Sequence, residues 1–224
     1  MFSIYVTGTD TGIGKTLTSC TLLHALRGHG LRVAGMKPVA SGCTEIDGAW
    51  KNEDALALQA AGMPGLAYAD INPFALEHPL APELAARDAG VAIELLPILA
   101  AHARLASQVE ALVVEGVGGW AAPLSAGLMQ VDLVRMLRLP VVLVVGLRLG
   151  CLNHALLSAR AIVDDGVHLA GWIGSQVDLA MARVDDNIAM LRARLPAPCW
   201  GVLPYAPNAA PSALTQYLRI PTAV

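Results

Sequence analysis

The chain has 224 residues, 55% hydrophobic and 15% charged, with a formal net charge of −3. That balance allows a sizeable buried core and excludes a disordered chain. Scattered Lys and Arg form neither a phosphate-tracking stripe for nucleic acid nor a basic helix for a membrane surface, so neither partner is expected.

In chain order, residues 2–7 form an apolar strand that runs into a glycine-rich turn, and a helix follows from Lys15 to about Gly28. Residues 32–38 read as a second strand, 52–61 as a short helix, and 91–108 as a longer helix interrupted or kinked at Pro97. Strands follow at 111–115 and 140–146, with a helix at 129–138 between them. Helix 152–165, strand 169–175, helix 182–195 and strand 199–203 complete the series. Repeated strand–helix order predicts an α/β fold: a single domain over residues 1–224 with an open, mainly parallel sheet and helices on both faces. Only 4% of residues are aromatic, and Ala, Val and Leu suit strands buried on both sides.

No cysteine pair has metal-site spacing: Cys20, Cys43, Cys151 and Cys199 read as small buried hydrophobes of a reducing compartment. Residues 195–218 lack charge but contain five prolines, which excludes a membrane span. The first residues lack the basic region of a signal peptide. A cytoplasmic location is the expectation.

In open parallel sheets ligands bind beyond the carboxyl ends of the strands, so the turns carry the chemistry. The strongest is Gly8-Thr9-Asp10-Thr11-Gly12-Ile13-Gly14-Lys15-Thr16. Its glycines let backbone N–H groups curl around phosphate oxygens, and the helix start adds partial positive charge. Lys15 is expected to reach the β- and γ-phosphates and the Thr16 hydroxyl to ligate Mg²⁺. Five residues, not the usual four, separate Gly8 from Gly14. With its strand and helix in place, the turn still predicts a P-loop NTPase-like fold.

Glu115 ends the strand 111–115, where a carboxylate needs a partner; beside a P-loop that partner is the nucleotide's metal. Lys37 ends the second strand before Pro38 and places a fixed positive charge toward the same cleft. Asp54, in a helix's first turn, is the weaker signal, because acids there often only complement the dipole. Two lysines and a metal around a triphosphate indicate phosphoryl transfer and leave the acceptor unnamed.

Thr7-Gly8-Thr9-Asp10-Thr11 followed by Gly14-Lys15-Thr16, then Lys37-Pro38-Val39-Ala40-Ser41-Gly42, resembles the dethiobiotin synthetase family. So do Val114-Glu115-Gly116, Gly118-Gly119-Trp120 and Leu149-Gly150-Cys151-Leu152-Asn153-His154, in the same order. The family also has the extra P-loop residue. The resemblance implies an enzyme that joins 7,8-diaminopelargonic acid and CO₂ with ATP or another triphosphate. A carbamate forms, attacks the γ-phosphate, and yields a mixed anhydride that the second amine closes to a ureido ring.

By the same resemblance, Thr16, Asp54 and Glu115 hold Mg²⁺, Lys37 is the principal catalytic group, and Lys15 and Thr11 assist it. Ser41 contacts substrate. Gly12, Ile13, Gly14, Lys15, Thr16 and Leu17 cradle phosphate, while Glu115, Gly116, Val117 and Gly118 line the nucleotide. Ser175 and Gln176 face its base, with Pro204, Tyr205 and Ala206 on the other side. Gly150, Cys151, Leu152 and Asn153 reach the substrate of a partner chain in a homodimer. Two positions depart from the family: Gly12 is acidic in some members, and Ser175-Gln176 stands where some read a purine with Asn. The competing readings are a switch-type P-loop ATPase and a small-molecule kinase. Against the first, residues 9–13 lack that class's extra lysine.

Overall fold

The apolar runs pack as in a computed structural model that describes residues 1–221; the last three positions of the expected 1–224 domain lie outside it. β1 (Phe2–Gly8) leads through the glycine turn into α1 (Lys15–Gly28), and β2 (Val33–Met36) follows. The chain then leaves the main sheet. This excursion comprises β3 (Val39–Ser41), β4 (Thr44–Ile46), β5 (Ala49–Lys51), α2 (Glu53–Ala61) and α3 (Tyr68–Ile71). It continues through β6 (Phe74–Leu76), α4 (Pro82–Asp88) and α5 (Leu95–Ala106).

The chain re-enters the sheet as β7 (Ala111–Gly119) and turns through β8 (Pro123–Ser125) and β9 (Leu128–Met129) into α6 (Gln130–Leu137). Then come β10 (Val141–Leu147), α7 (Cys151–Asp164), β11 (Leu169–Gln176), α8 (Val184–Arg194) and β12 (Cys199–Leu203). A 3₁₀ segment, Pro211–Tyr217, follows. Six strands form one sheet in the order β12-β11-β10-β1-β7-β2, and every neighbouring pair is parallel. All seven residues of β10 are buried, as a strand covered by helices on both faces requires. Two apolar clusters, one on each face, hold the sheet to its helices.

The expected parallel α/β architecture is present, with four local corrections. The strand expected to end at Glu115 runs on to Gly119, so Glu115 lies inside β7 and not at its end. The helix expected over 91–108 begins at Leu95, so Pro97 lies in its first turn, where a missing N–H costs no intrahelical bond. There is no kinked helix from 91. The helix expected from 182 begins at Val184, because Arg183 takes a left-handed backbone with φ 58°. The strand expected over 32–38 stops at Met36, and the Lys37 N–H instead donates to the Ile71 carbonyl.

Candidate active site

Gly14 adopts φ 82° and caps α1 without any side-chain hydrogen bond, and the first turn of α1 holds no acidic residue. The N–H groups there are left for an external acceptor. Gly8 is required by contact: a side-chain Cβ there would come within 2.8 Å of Ile13. The Ile13 side chain is buried and packs on Gly146 of the neighbouring strand. This anchors the loop with its apolar side chain turned away from the cleft.

The loop opens on a cleft of about 790 Å³ that Lys37 enters from the end of β2. The Lys37 ammonium is buried and lies 2.6 Å from Glu115 Oε1 and 3.0 Å from Asp54 Oδ2. Burial alone would lower its pKa; contact with Glu115 and Asp54 more than reverses that and holds it above the usual lysine range. Burial opposes ionisation of Asp54 as well, yet Lys37 and the Thr16 hydroxyl hold its carboxyl below the usual range. Lys15 responds differently: burial, aided by the Lys37 charge, brings it down to about 8.

Thr16 Oγ1 lies 2.6 Å from Asp54 Oδ1 and 2.9 Å from Glu115 Oε1. One hydroxyl has one proton, so it cannot donate fully to both. Glu115 is wholly buried and its Oε2 has no partner among the described residues. Three converging hard oxygens, one approach lacking a proton and one orphaned carboxylate oxygen fit a magnesium ion.

Thr11, Gly12, Gly14, Ser41, Val117 and Gly118 also line this cleft. Leu17 stands on the first turn of α1, partly buried, and offers its backbone. Glu115 and Gly116 lie in the buried part of β7 and are not on the cleft wall. Ser175, Gln176, Pro204, Tyr205 and Ala206 are not on the cleft wall. They gather at the ends of β11 and β12, where Ser175 pairs with Leu203. The Ser175 hydroxyl lies against the P-loop, 2.6 Å from where a Gly14 Cβ would stand.

Gly150, Cys151, Leu152 and Asn153 do not line the cleft of their own chain. Gly150 caps α7 with φ 94° and no side-chain bond, Cys151 is buried, and Asn153 is exposed.

Sequence reasoning missed several positioning residues. Asn52 caps α2 by accepting from the Asp54 N–H at 3.0 Å and donates to the Ser41 carbonyl at 3.2 Å. It therefore ties the Asp54 helix to the Ser41 strand. An Asn before an acidic first turn is a readable cap signal. Asn72 donates to the Lys37 carbonyl at 2.7 Å. Gln130 is fully buried, accepts from the Val117 N–H at 2.9 Å and donates to the Gly119 carbonyl at 2.9 Å. Those bonds fix the last residues of β7 after Glu115, and nothing in local sequence announces them.

A family model described as an AAA domain matches residues 3–213. ATP-dependent dethiobiotin synthetase BioD of Xanthomonas oryzae pv. oryzae is 62% identical over 219 residues, covering 98% of each chain. The protein of that name from Xanthomonas campestris pv. campestris is 60% identical over the same span, again 98% of each. The one from Xylella fastidiosa is 61% identical over 205 residues, 92% of this chain and 91% of the relative. Among solved structures, the MinC:MinD cell division protein complex of Aquifex aeolicus gives a TM-score of 0.52 at 13% identity. It covers 98% of this chain and 87% of that one, a likeness of fold alone.

Proposed function

The chain belongs to the dethiobiotin synthetase family, and from that premise we infer how its cleft performs the reaction. The enzyme is an ATP-dependent ligase that forms C–N bonds and makes dethiobiotin, a step of biotin biosynthesis. Its substrates are 7,8-diaminopelargonic acid and CO₂. The observation that carries our assignment of roles is the gathering of Lys15, Lys37, Thr16, Asp54 and Glu115 around one uncapped helix start.

The backbone of Gly12 to Leu17 and the Lys15 ammonium receive the triphosphate. Thr16, Asp54 and Glu115 would hold magnesium, which when bound neutralises phosphate charge and orients the γ-phosphoryl group. One substrate amine adds to CO₂ and loses a proton, giving a carbamate. Its oxygen then attacks the γ-phosphorus as the bond to the bridging oxygen of ADP breaks. The second amine attacks the carbonyl carbon of the resulting carbamic–phosphoric anhydride, and phosphate leaves with the ring closed.

The difficulty in this sequence is the approach of two anions, the carbamate and the triphosphate. Lys37 answers it because Glu115 and Asp54 keep its ammonium charged although it is buried. Thr11 and Ser41, which line the same cleft as Lys37, hold the substrate end. Glu115, Gly116, Val117 and Gly118 border the nucleotide, and its base lies toward Ser175, Gln176 and the turn Pro204-Tyr205-Ala206.

We assign Gly150, Cys151, Leu152 and Asn153 to the substrate carboxylate of a partner chain, within a homodimer of two composite sites. Support comes from the uncapped start of α7, from its absence from its own cleft, and from Leu149 at 94% exposure. Cys20, Cys43, Cys151 and Cys199 are all free, which favours a reducing, cytoplasmic setting. No helix among the described residues is long and apolar enough to cross a membrane.

The test is phosphate release from ATP with and without diaminopelargonic acid and bicarbonate. Release that requires both supports the assignment. Release with ATP alone would return the chain to a switch ATPase, and transfer to the amine substrate without CO₂ would make it a kinase.

A further inference from the structure

Asp10 sits in the crown of the P-loop, beside Thr11, which lines the cleft, and two residues before Gly12. A carboxylate there is electrostatically wrong for a polyanion. It is also used three ways. Its Oδ1 accepts the Thr11 N–H at 2.7 Å, its backbone carbonyl accepts from Lys15 Nζ at 2.7 Å, and its Oδ2 accepts from Arg148 Nη2. Its charge reaches Lys15, where it favours the ammonium.

Arg148 follows β10 and lies 138 positions away in sequence, in the turn that leads to Gly150 and α7. The two side chains are 42% and 45% exposed. A pair so open to water contributes little to stability, so fold maintenance does not account for it.

We propose that Arg148 is a positioning residue of the nucleotide site: it cancels the Asp10 charge and holds the crown so that a triphosphate can enter beside it. The inference rests on the assignment of the triphosphate to this loop. With Arg148 in place, Asp10 holds the Thr11 N–H through its Oδ1 and offers no net repulsion. Without Arg148, the same carboxylate confronts the incoming phosphates unneutralised. The pair also joins the P-loop crown to the turn before α7, so both helix starts share one anchor.

The experiment is a four-member cycle: wild type, Arg148→Gln, Asp10→Asn and the double variant. Calorimetry reads the Kd for Mg·ATP, and circular dichroism verifies the fold. Arg148→Gln should weaken binding about tenfold, the scale of one uncompensated, partly solvated charge near a polyanion. Asp10→Asn keeps an acceptor for the Thr11 N–H and should bind within about twofold of wild type. The decisive member is the double variant, which should regain most of the affinity lost by Arg148→Gln, as should Arg148→Lys. A double variant as weak as Arg148→Gln would show that Arg148 touches the nucleotide directly and would overturn the inference. Normal ATP binding by wild type and an unchanged Arg148→Gln would overturn it too. Failure of wild type to bind ATP would instead sink the triphosphate assignment itself.

Discussion

Two helices in this molecule begin in the same way on neighbouring strands. α1 follows β1 through Gly14, and α7 follows β10 through Gly150; both caps are left-handed, lack a side-chain bond and precede a first turn without acid. Their surroundings differ. Around α1 stand Lys15, Lys37, Asp54 and Glu115, buried or partly buried. At α7 the first residue, Cys151, turns into the core, while no neighbour stands within 4 Å of a Cβ placed on Gly150. A bare helix start offers a few N–H groups and about half a positive charge. The side chains around it decide whether a multiply charged phosphate or a single carboxylate is suited to it.

The two helix starts differ most in their lysines. Lys37→Ala and Lys15→Ala should each lower kcat by about 10²–10³-fold, the usual effect of losing a donor aimed at developing charge. Lys37→Ala also leaves Glu115 buried with its nearest cation gone, so stability must be followed beside turnover. Near-normal turnover by a folded Lys37→Ala enzyme would show that α1 does not need this company. It would make the two helix starts equivalent.

The second prediction asks whether α7 serves the other chain. Gly150 has φ 94°, so any side chain there is strained. Asn153→Trp adds bulk at an exposed helical position instead. Each of Lys37→Ala and Asn153→Trp should be nearly inactive as a homodimer. After subunit exchange, an equal mixture should recover about a quarter of the wild-type rate, since half the dimers are mixed and each has one intact site. No recovery despite demonstrated exchange means that α7 serves its own chain or no site at all.

How much of this was readable beforehand follows from chain distance. Val, Leu and Ile runs in β1, β7 and β10 are long enough to declare buried parallel strands, and glycine spacing with Lys15 and Thr16 declares the α1 cradle. The excursion between β2 and β7 was not legible as sheet, because β3 and β6 have three residues each and carry no measurable period. Lys37 and Glu115 could each be read as a strand-end charge. Their contact at 2.6 Å, which keeps Lys37 protonated, belongs to strand order and not to either segment. Arg148 was invisible for the same reason: its partner Asp10 lies 138 positions away.

The carboxylates around α1 can be tested through their cation. Glu115→Gln and Asp54→Asn should raise the magnesium concentration for half-maximal rate on the order of tenfold each, with ATP saturating. Glu115→Gln should have the larger effect, since its Oε2 is the orphaned oxygen and Asp54 is partly exposed. A magnesium titration identical to wild type in both variants would reduce these carboxylates to partners of Lys37. The cluster would then be an ion pair beside a helix start, with no cation of its own.

The smallest expected effect lies where the nucleotide leaves α1's charged company. Discrimination between bases needs polar groups that a wrong base leaves unpaired; a site built that way rejects by about 10⁴–10⁵, and an apolar one by only about 10² or less. At the ends of β11 and β12 such groups are few. Ser175 is 3% exposed, and its hydroxyl stands beside Gly14 of the P-loop, away from the cleft wall. Gln176 is partly exposed, and its amide makes no hydrogen bond among the described residues, which leaves both donor and acceptor free. Beyond it stand Pro204, which has no N–H, and Tyr205, 41% exposed. One mobile amide is a weak lock, because it can rotate to present either its donor or its acceptor first. ATP, GTP and CTP should therefore differ in kcat/KM by no more than about tenfold, and Gln176→Leu should flatten what preference remains. A preference for ATP well beyond that, abolished by Gln176→Leu, would show that this one side chain is held in a single orientation when the base is bound. If the preference survives the substitution, the backbone of residues 204–206 reads the base, and charge at α1 is no longer the main term in nucleotide recognition.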